Sequence, residues 1–376
     1  MVAPLRNDPW SVADMVGMSH PVDCSKPYDT STLAGKTILI TGGASGFGAA
    51  FARHWAQHGA HLIIGDVNDR AGEELVAELR SAPSTAASQV IVYQHCDVTS
   101  WPDQVALFQT AISSSPTHSL DAVVAGAGII EKGNPLTPSP TSTFDLPYNL
   151  DPSTNNTPPP PPPLHILAVN LTGVMYTTHL ALYHLPRNNP NPNPTPSTPQ
   201  SSTRPRDRHI LLLSSIAGLT PLPHQTEYTT SKHAIMGLFR ALRGTAWQAH
   251  GVRVNVLAPY FVDTPLLPVA GRVLLAGVPL GEVGGVVDAG TRLMVEGGVR
   301  GRALGVGPGV RVVDGGGGGR VEGERRQAVW EIYGHDYERV ETFVWRYLAV
   351  MNLMRGIKGW VGVVTDMWGI CFGRRR

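Results

Sequence analysis

A phenol and an ammonium stand four residues apart in the stretch EYTTSKHAIMG (227–237), as Tyr228 and Lys232. Residues at that spacing share one face of a helix, which taken alone describes any solvated surface. The same spacing suits proton transfer. A phenol with a pKa of about 10 is a poor base near neutrality, and a cation one turn away makes its anion cheaper. A second stretch, TGGASGFG (41–48), carries four glycines. Such a turn lets the backbone approach a pyrophosphate, and a helix starting there offers free N–H groups and a positive dipole end to the phosphates. Its spacing alone also fits an ordinary glycine-rich turn. Asp66 follows a little over ~20 residues later, where a carboxylate hydrogen-bonds the ribose hydroxyls of an adenosine and repels a 2′-phosphate. No Arg or Lys interrupts the glycine turn. The expected cofactor is therefore NAD, with NADP disfavoured.

These groups need a scaffold that alternates strand and helix. TILIT (37–41), HLIIGD (61–66), VIVYQ (90–94), DAVVAG (121–126), HILLLS (209–214) and VRVNVLAP (252–259) read as short buried strands. Between them apolar residues recur at helical spacing: Phe47, Ala50, Phe51, His54 and Trp55 up to Gly59, then Leu75, Val76 and Leu79, then the stretches 101–112, 164–184 and 229–249. This alternation predicts an α/β fold of the Rossmann type, a doubly wound parallel sheet with helices on both faces. The glycine turn then joins the first strand to the first helix, and Asp66 ends the second strand.

Several segments break the rhythm. Residues 134–163, ending in PPPPPP, and 186–208, PRNNPNPNPTPSTPQSSTRPRDR, offer neither regular hydrogen bonding nor a core face. They are expected to be surface insertions, partly disordered. Residues 1–34 read as an N-terminal extension, 35–310 as the main domain and 311–326, with GGGGG at 315–319, as a linker. Beyond it, 327–376 is expected to be a helical extension. Tyr337, Val340, Phe343, Val344, Tyr347, Leu348, Met351 and Met354 recur there at three- and four-residue spacing, an apolar stripe expected to dock onto the domain.

Composition narrows the function classes. Lys plus Arg total 30 and Asp plus Glu 29, so the chain lacks the basic footprint of a nucleic-acid partner and has no acidic tail. Cys24, Cys96 and Cys371 are odd in number and far apart. They fit no disulfide framework or metal-ligand spacing, which points to a reducing, cytoplasmic location. His54, His58 and His61 follow no ligand constellation, and no metal is expected. The start of the chain carries no secretory pattern. No uninterrupted apolar run reaches bilayer length, so membrane association is not expected.

TGGASGFG (41–48), CDVT (96–99), AGAGI (125–129), VNLTG (169–173), LSSIAG (213–218), YTTSK (228–232) and APYFVDTP (258–265) occur here in one order. In that order and over roughly 35–310 the chain resembles the short-chain dehydrogenase/reductase family. The resemblance implies a seven-stranded parallel sheet with GRALGVG (301–307) as its seventh strand, assembly as a homo-oligomer, and oxidoreductase activity between secondary alcohol and ketone. It implies that Tyr228 is the catalytic acid/base and that Lys232 lowers the phenol's pKa and bonds the nicotinamide ribose. Ser215 would orient the substrate oxygen, and Asn170 would hold a water linking Lys232 to solvent. Gly42, Ser45, Gly46, Phe47, Gly48, Asp66 and Val67 would contact the cofactor, as would Asp97 and Val98 at the adenine. Gly126, Pro259, Val262 and Thr264 would continue that contact, Thr264 bonding the carboxamide. Gln225 matches a substrate-side glutamine in the branch resembling 15-hydroxyprostaglandin dehydrogenase. Two departures stand out. Gly126-Ala127-Gly128 replaces the usual Asn-Ala-Gly, removing an amide that braces the sheet, and Pro259-Tyr260 replaces Pro-Gly. The apolar stretch 265–280 predicts a lipophilic alcohol or ketone as substrate. The alternatives are an NADPH-linked ketone reductase and a nucleotide-binding scaffold without turnover.

Overall fold

Alternate side chains along the central strands enter opposite cores. In β1 (Thr37–Thr41) Ile38 and Ile40 join one buried cluster and Leu39 the other. β2 (His61–Asp66) repeats this with Leu62 and Ile64 against Ile63. That is the pleat period of a strand, and burying both faces requires a helical layer on each side. The computed structural model describes residues 16–131, 162, 164–187, 206–220, 222, 225–267, 269–313, 324–333, 346, 349–354 and 356–357. It continues with β3 (Ile91–His95), β4 (Ala122–Ala125), β5 (His209–Leu213), β6 (Arg253–Pro259), β7 (Ala303–Val313) and β8 (Glu324–Ile332). The strand order is β3-β2-β1-β4-β5-β6-β7-β8. One core packs under α1 (Gly46–Gln57), α2 (Asp69–Ser81) and α6 (Val283–Val295), the other under α3 (Trp101–Ser114), α4 (Val174–His184) and α5 (Thr226–His250). Successive strands are added to one side of β1 and then to the other. The reversal leaves a crevice at the carboxyl ends of β1 and β4, where doubly wound sheets bind ligands.

The expectation of seven strands is corrected to eight. β8 pairs antiparallel with β7, from Ala303 opposite Ile332 to Val313 opposite Glu324. Residues 311–313 and 324–326, expected in a linker, are therefore strand, and so is Gln327–Ile332 of the expected helical extension. The segment carries Glu324, Arg325, Arg326 and Glu331, a charge density typical of an edge strand and not of a buried one. Val329 is its buried contact. The glycine run 315–319 lies outside the described residues, as do both proline-rich insertions apart from their ends. Of the C-terminal stripe, Met351 and Met354 are described: Met351 is half-buried, and Met354 is exposed together with Val350, Leu353 and Ile357. The other six residues of the stripe lie outside the described residues.

The stretch His165–Arg187 is long and apolar enough to cross a bilayer by length and composition, which qualifies the sequence expectation. Asn170 and Thr177 are buried within it. Gln104 Nε2 of α3 donates to Gly173 O at 2.9 Å, and Thr177 Oγ1 donates to Gln104 Oε1 at 2.8 Å. Polar groups satisfied against a neighbouring helix mark a core helix.

The described part of the N-terminal extension lies as a strap across the domain. Tyr28 donates to Asp288 Oδ1 at 2.9 Å, Arg292 Nη1 to Lys26 O at 2.8 Å, and Ser19 N to Arg300 O at 2.9 Å. Gly17 has φ +71°, and a Cβ there would collide with Gly244. Only glycine allows both the left-handed backbone and the approach.

A charged network closes the opposite end of the sheet, where the second insertion rejoins the domain. Arg206 Nε donates to Asp121 Oδ1 at 2.8 Å. Asp207 accepts two hydrogen bonds from Arg253, at 2.9 and 2.7 Å, and one from Lys36 Nζ at 2.8 Å. Among the described residues, these anchors begin at Arg206. Deleting residues 188–204 is expected to leave them intact and to shift Tm by no more than a few degrees, because loop-closure entropy varies slowly with length. Thermal melts of the deletion variant check this. Loss of the folded state would make the segment structural.

Candidate active site

The turn after β1 has the shape a pyrophosphate needs. Gly42 has φ +68°, and a Cβ on it would lie 2.6 Å from Ala127 Cα. A Cβ on Gly48 would collide with Gly42 O, so the first turn of α1 sits directly on the glycine loop. Gly46, at φ +51°, has nothing within 4 Å of its Cβ position. Ser45 occupies the N-cap of α1 without a side-chain hydrogen bond to the helix, which leaves N–H donors for an anion. Phe47 packs its ring on the core beneath. These residues fit a dinucleotide.

Asp66 is fixed at the end of β2. Its Oδ2 accepts from Ala44 N at 3.0 Å and its Oδ1 from Asn68 N at 3.0 Å. The carboxylate is thereby tied to the glycine turn. Beside it Val67 is 59% exposed, an apolar surface left open at the rim. Val98 is buried against Gly173, whose Cβ position is 2.7 Å from Val98 Cγ2. Asp97 spends its Oδ1 on Thr99 N and Oγ1, at 2.9 and 2.8 Å. Its carboxylate is thus committed to its own turn. The sequence reading missed a neighbour here. His95 is the cross-strand partner of Asp66, and its Nδ1 lies 2.8 Å from Asp69 Oδ1. That hydrogen bond raises the His95 pKa above its ordinary value.

The catalytic candidates converge past the ends of β4, β5 and β6. Tyr228 and Lys232 are buried on the first turns of α5, and Ser215 follows β5. Lys232 Nζ lies 5.6 Å from the centroid of the Tyr228 ring and donates to Leu213 O at 3.0 Å. Burial pushes the Lys232 ammonium down to about 8. Burial also raises the Tyr228 phenol, a hydrogen bond with Ser215 acts against that shift, and the nearby Glu131 carboxylate adds to it. The helix is seated by Ser214, whose Oγ donates to Lys232 O at 3.0 Å, and by Ser231, whose Oγ donates to Tyr228 O at 2.7 Å.

Asn170 sits in a π-helical turn (Ala168–Gly173), a local distortion frequent at functional sites. Its Oδ1 accepts from Ile129 N at 2.8 Å, and its Nδ2 donates to Ile129 O at 2.8 Å and to Ser231 Oγ at 3.2 Å. The side chain braces the loop after β4 against α5. The missing amide at Gly126 is also accounted for. A Cβ there would lie 2.8 Å from Thr41 O, and Thr41 Oγ1 accepts from Gly126 N at 3.2 Å. A threonine hydroxyl ties β1 to β4 in place of the absent side chain. Pro259 ends β6, and Tyr260 N continues the ladder to Val306 O at 2.7 Å. Val262 and Thr264 are buried beyond it, Val262 bridging to Gly281. Gln225 is the N-cap of α5, and its Oε1 is buried with no hydrogen-bond partner among the described residues.

Glu131 was not singled out in the sequence. It is 3% exposed, and its Oε1 accepts from Tyr228 N at 3.0 Å. Burial raises the Glu131 carboxyl, while backbone donors from Tyr228 and Glu227 act against it. An acid directly after the apolar run AGAGII was the available signal.

Residues 36–271 match the short chain dehydrogenase family. The chain is 35% identical over 294 residues to 5′-hydroxyaverantin dehydrogenase of Dothistroma septosporum, covering 74% of this chain and 87% of that protein. It is 30% identical over 307 residues to an NADP-dependent dehydrogenase of Cochliobolus lunatus, covering 77% and 94%. In fold it is similar to 3-ketoacyl-(acyl-carrier-protein) reductase from Brucella melitensis complexed with NADH. The TM-score is 0.55 at 23% identity, over 73% of this chain and 97% of that one. A family match across most of the chain and a Rossmann sheet with a glycine cradle at its switch point lead to one assignment: the chain belongs to the short-chain dehydrogenase/reductase family and is an NAD(P)-dependent alcohol dehydrogenase/reductase.

Proposed function

We propose that the chain is an NAD-dependent dehydrogenase that interconverts a secondary alcohol and a ketone on a lipophilic small molecule, with Tyr228 as acid/base. The observation that carries this is the buried grouping of Tyr228, Ser215 and Lys232 beside the glycine cradle. A bound nicotinamide would supply the hydride acceptor and a positive charge. In oxidation Tyr228 takes the hydroxyl proton of the substrate as the carbinol hydride leaves. Ser215 hydrogen-bonds the reacting oxygen, and Lys232 with its buried ammonium favours the phenolate. Asn170 is a positioning residue here. Apolar side chains pack around Tyr228, with Ala217, Ile166, Ile129, Ile130 and Leu222 in one cluster, which supports a lipophilic substrate. The relatives lend no particular support to the 15-hydroxyprostaglandin dehydrogenase-like branch. A 5′-hydroxyaverantin dehydrogenase at 35% identity makes 5′-hydroxyaverantin the first substrate to assay. Nicotinamide absorbance with purified protein, NAD and a panel of secondary alcohols including that compound tests the proposal. NADH binding without oxidation of any of them would favour a scaffold. A homo-oligomer is part of the same reading, checked by mass in solution.

For the cofactor, Asp66 supports NAD. A carboxylate tied to the glycine turn faces the ribose hydroxyls and repels a 2′-phosphate. NAD is expected to exceed NADP in kcat/KM by at least ~5-fold, since a like charge at close range costs upward of ~1 kcal/mol. Asp66→Ala is expected to shrink that ratio. The NADPH-linked reading has support of its own, from the NADP-dependent relative and from His95 beside Asp66. Equal efficiency with both cofactors in the wild type would favour it.

A further inference from the structure

Glu131 departs from the rules that place the rest of the site. Helix α5 starts at Gln225, whose side chain makes no capping bond. A helix start without a cap leaves N–H donors to be satisfied from elsewhere. Here the acceptor comes from another element. Glu131, in the loop after β4, accepts from Tyr228 N at 3.0 Å and from the Glu227 backbone. Asn170 fixes that loop two residues earlier, through its paired bonds to Ile129. Glu131 Oε2 is buried and has no hydrogen-bond partner among the described residues. A neutral side chain would cap the helix without placing an uncompensated oxygen in an apolar pocket.

We infer that Glu131 is a positioning residue for proton transfer: it anchors the turn that carries Tyr228, and its charge sets how readily the phenol gives up its proton. The inference rests on Tyr228 being the acid/base. Among the described residues the groups around the phenol are few. Lys232 and the buried Glu227 lie on α5 itself, Ser215 comes from the end of β5, and Glu131 comes from the loop after β4. The remaining neighbours, Ile129, Ile130, Ile166, Ala217 and Leu222, are apolar. Among the described residues Glu131 is therefore the anion that approaches from outside the helix, and it opposes phenolate formation where Lys232 favours it. A low-dielectric surrounding strengthens both effects. The arrangement makes the phenol a weaker acid than the cation alone would, so that its phenolate, once formed, is the stronger base toward the proton of an alcohol.

The test separates charge from position. The pH dependence of kcat is measured for wild type, Glu131→Gln, Glu131→Asp and Tyr228→Phe with saturating NAD and 5′-hydroxyaverantin. Phenolate absorbance is titrated in the same proteins with NAD bound and compared with the Tyr228→Phe counterpart of each, so that the Tyr228 signal is isolated without turnover. Glu131→Gln keeps an oxygen acceptor for the helix but loses the charge. Its Tyr228 midpoint, and the rising limb of kcat, are expected to move down by roughly half a unit to one unit. Glu131→Asp keeps the charge but shortens the reach. It is expected to hold the midpoint close to wild type while lowering kcat several-fold. Unchanged midpoints in Glu131→Gln, with Tyr228→Phe inactive, would overturn the inference and leave the role of Tyr228 standing. Turnover surviving in Tyr228→Phe would remove the proposed function itself. A purely structural cap would lower Tm in both Glu131 variants and move no midpoint.

Discussion

Tyr228→Phe is expected to lower kcat by roughly 10² to 10⁴-fold, the range that a positioned general base contributes, while NADH binding stays within about twofold. The phenol is 7% exposed, and its ring packs with Ile166 and Ala217. Phenylalanine preserves that packing and removes only the hydroxyl that exchanges the proton. Steady-state rates with the best alcohol from the panel, beside fluorescence titration with NADH, read the two properties separately. Activity within tenfold of wild type would mean that another group moves the proton.

The second large effect concerns stability. Asp207→Ala is expected to cost about 3 to 5 kcal/mol, the range found when one partner of a buried pair is removed. In a domain of this size that is a fall in Tm on the order of 10 °C. Arg253 is 2% exposed and spends its guanidinium on Asp207 and on the carbonyls of Leu293 and Val299. Without Asp207 it and Lys36 would be left as two cations in a closed space. Burial alone would raise the Asp207 carboxyl, but Arg253 and Lys36 outweigh burial and hold it well below the usual range. A carboxyl with a depressed folded pKa stabilises above its unfolded pKa, and that contribution is lost as pH falls from about 4. Neighbouring His209 acts at higher pH. Burial, and then Arg253, push its pKa well below 6.5, and its Nε2 accepts from Asn255 Nδ2 at 3.0 Å. The unfolded ring takes up a proton below about 6.5 and the folded ring does not, so stability is expected to decline as pH falls below that value. Denaturant melts from pH 7 down to about pH 2 check both parts. A flat profile in wild type, or an Asp207→Ala melt matching wild type, would show that the network contributes nothing.

The parallel sheet was legible because each central strand is a short run of β-branched and aliphatic residues, and because glycines and helical periodicity mark where one element hands over to the next. The glycine turn, Asp66 and the Tyr228–Lys232 pair were legible for the same reason: each sits at a strand end or a helix start that local pattern alone defines. β8 was not. Its residues are charged and follow a glycine run, and it is held by backbone bonds to β7 that leave no hydrophobic signature. Asn170 was found by its motif, yet the work its side chain does depends on Ile129 and Ser231, which come from two other elements. Glu131 escaped because an acid in a loop has no periodicity to stand out from. Only the fold brings it to the backbone of Tyr228.

The N-terminal strap imposes an order on how the molecule is completed. Arg300 N donates to Ser19 Oγ across 281 positions of sequence, and a Cβ on Gly301 would lie 2.3 Å from Gly17 O. Among the described residues, the hydrogen-bond partners that hold Ser19–Tyr28 to the domain, Asp288, Arg292 and Arg300, come after β6. A nascent or truncated chain that stops before α6 therefore carries an undocked strap and an incomplete core, with Trp55 lacking its partner Thr291. Contacts this distant are slow to close. The strap thus acts as a seal applied last, and its docking distinguishes a finished molecule from a nearly finished one.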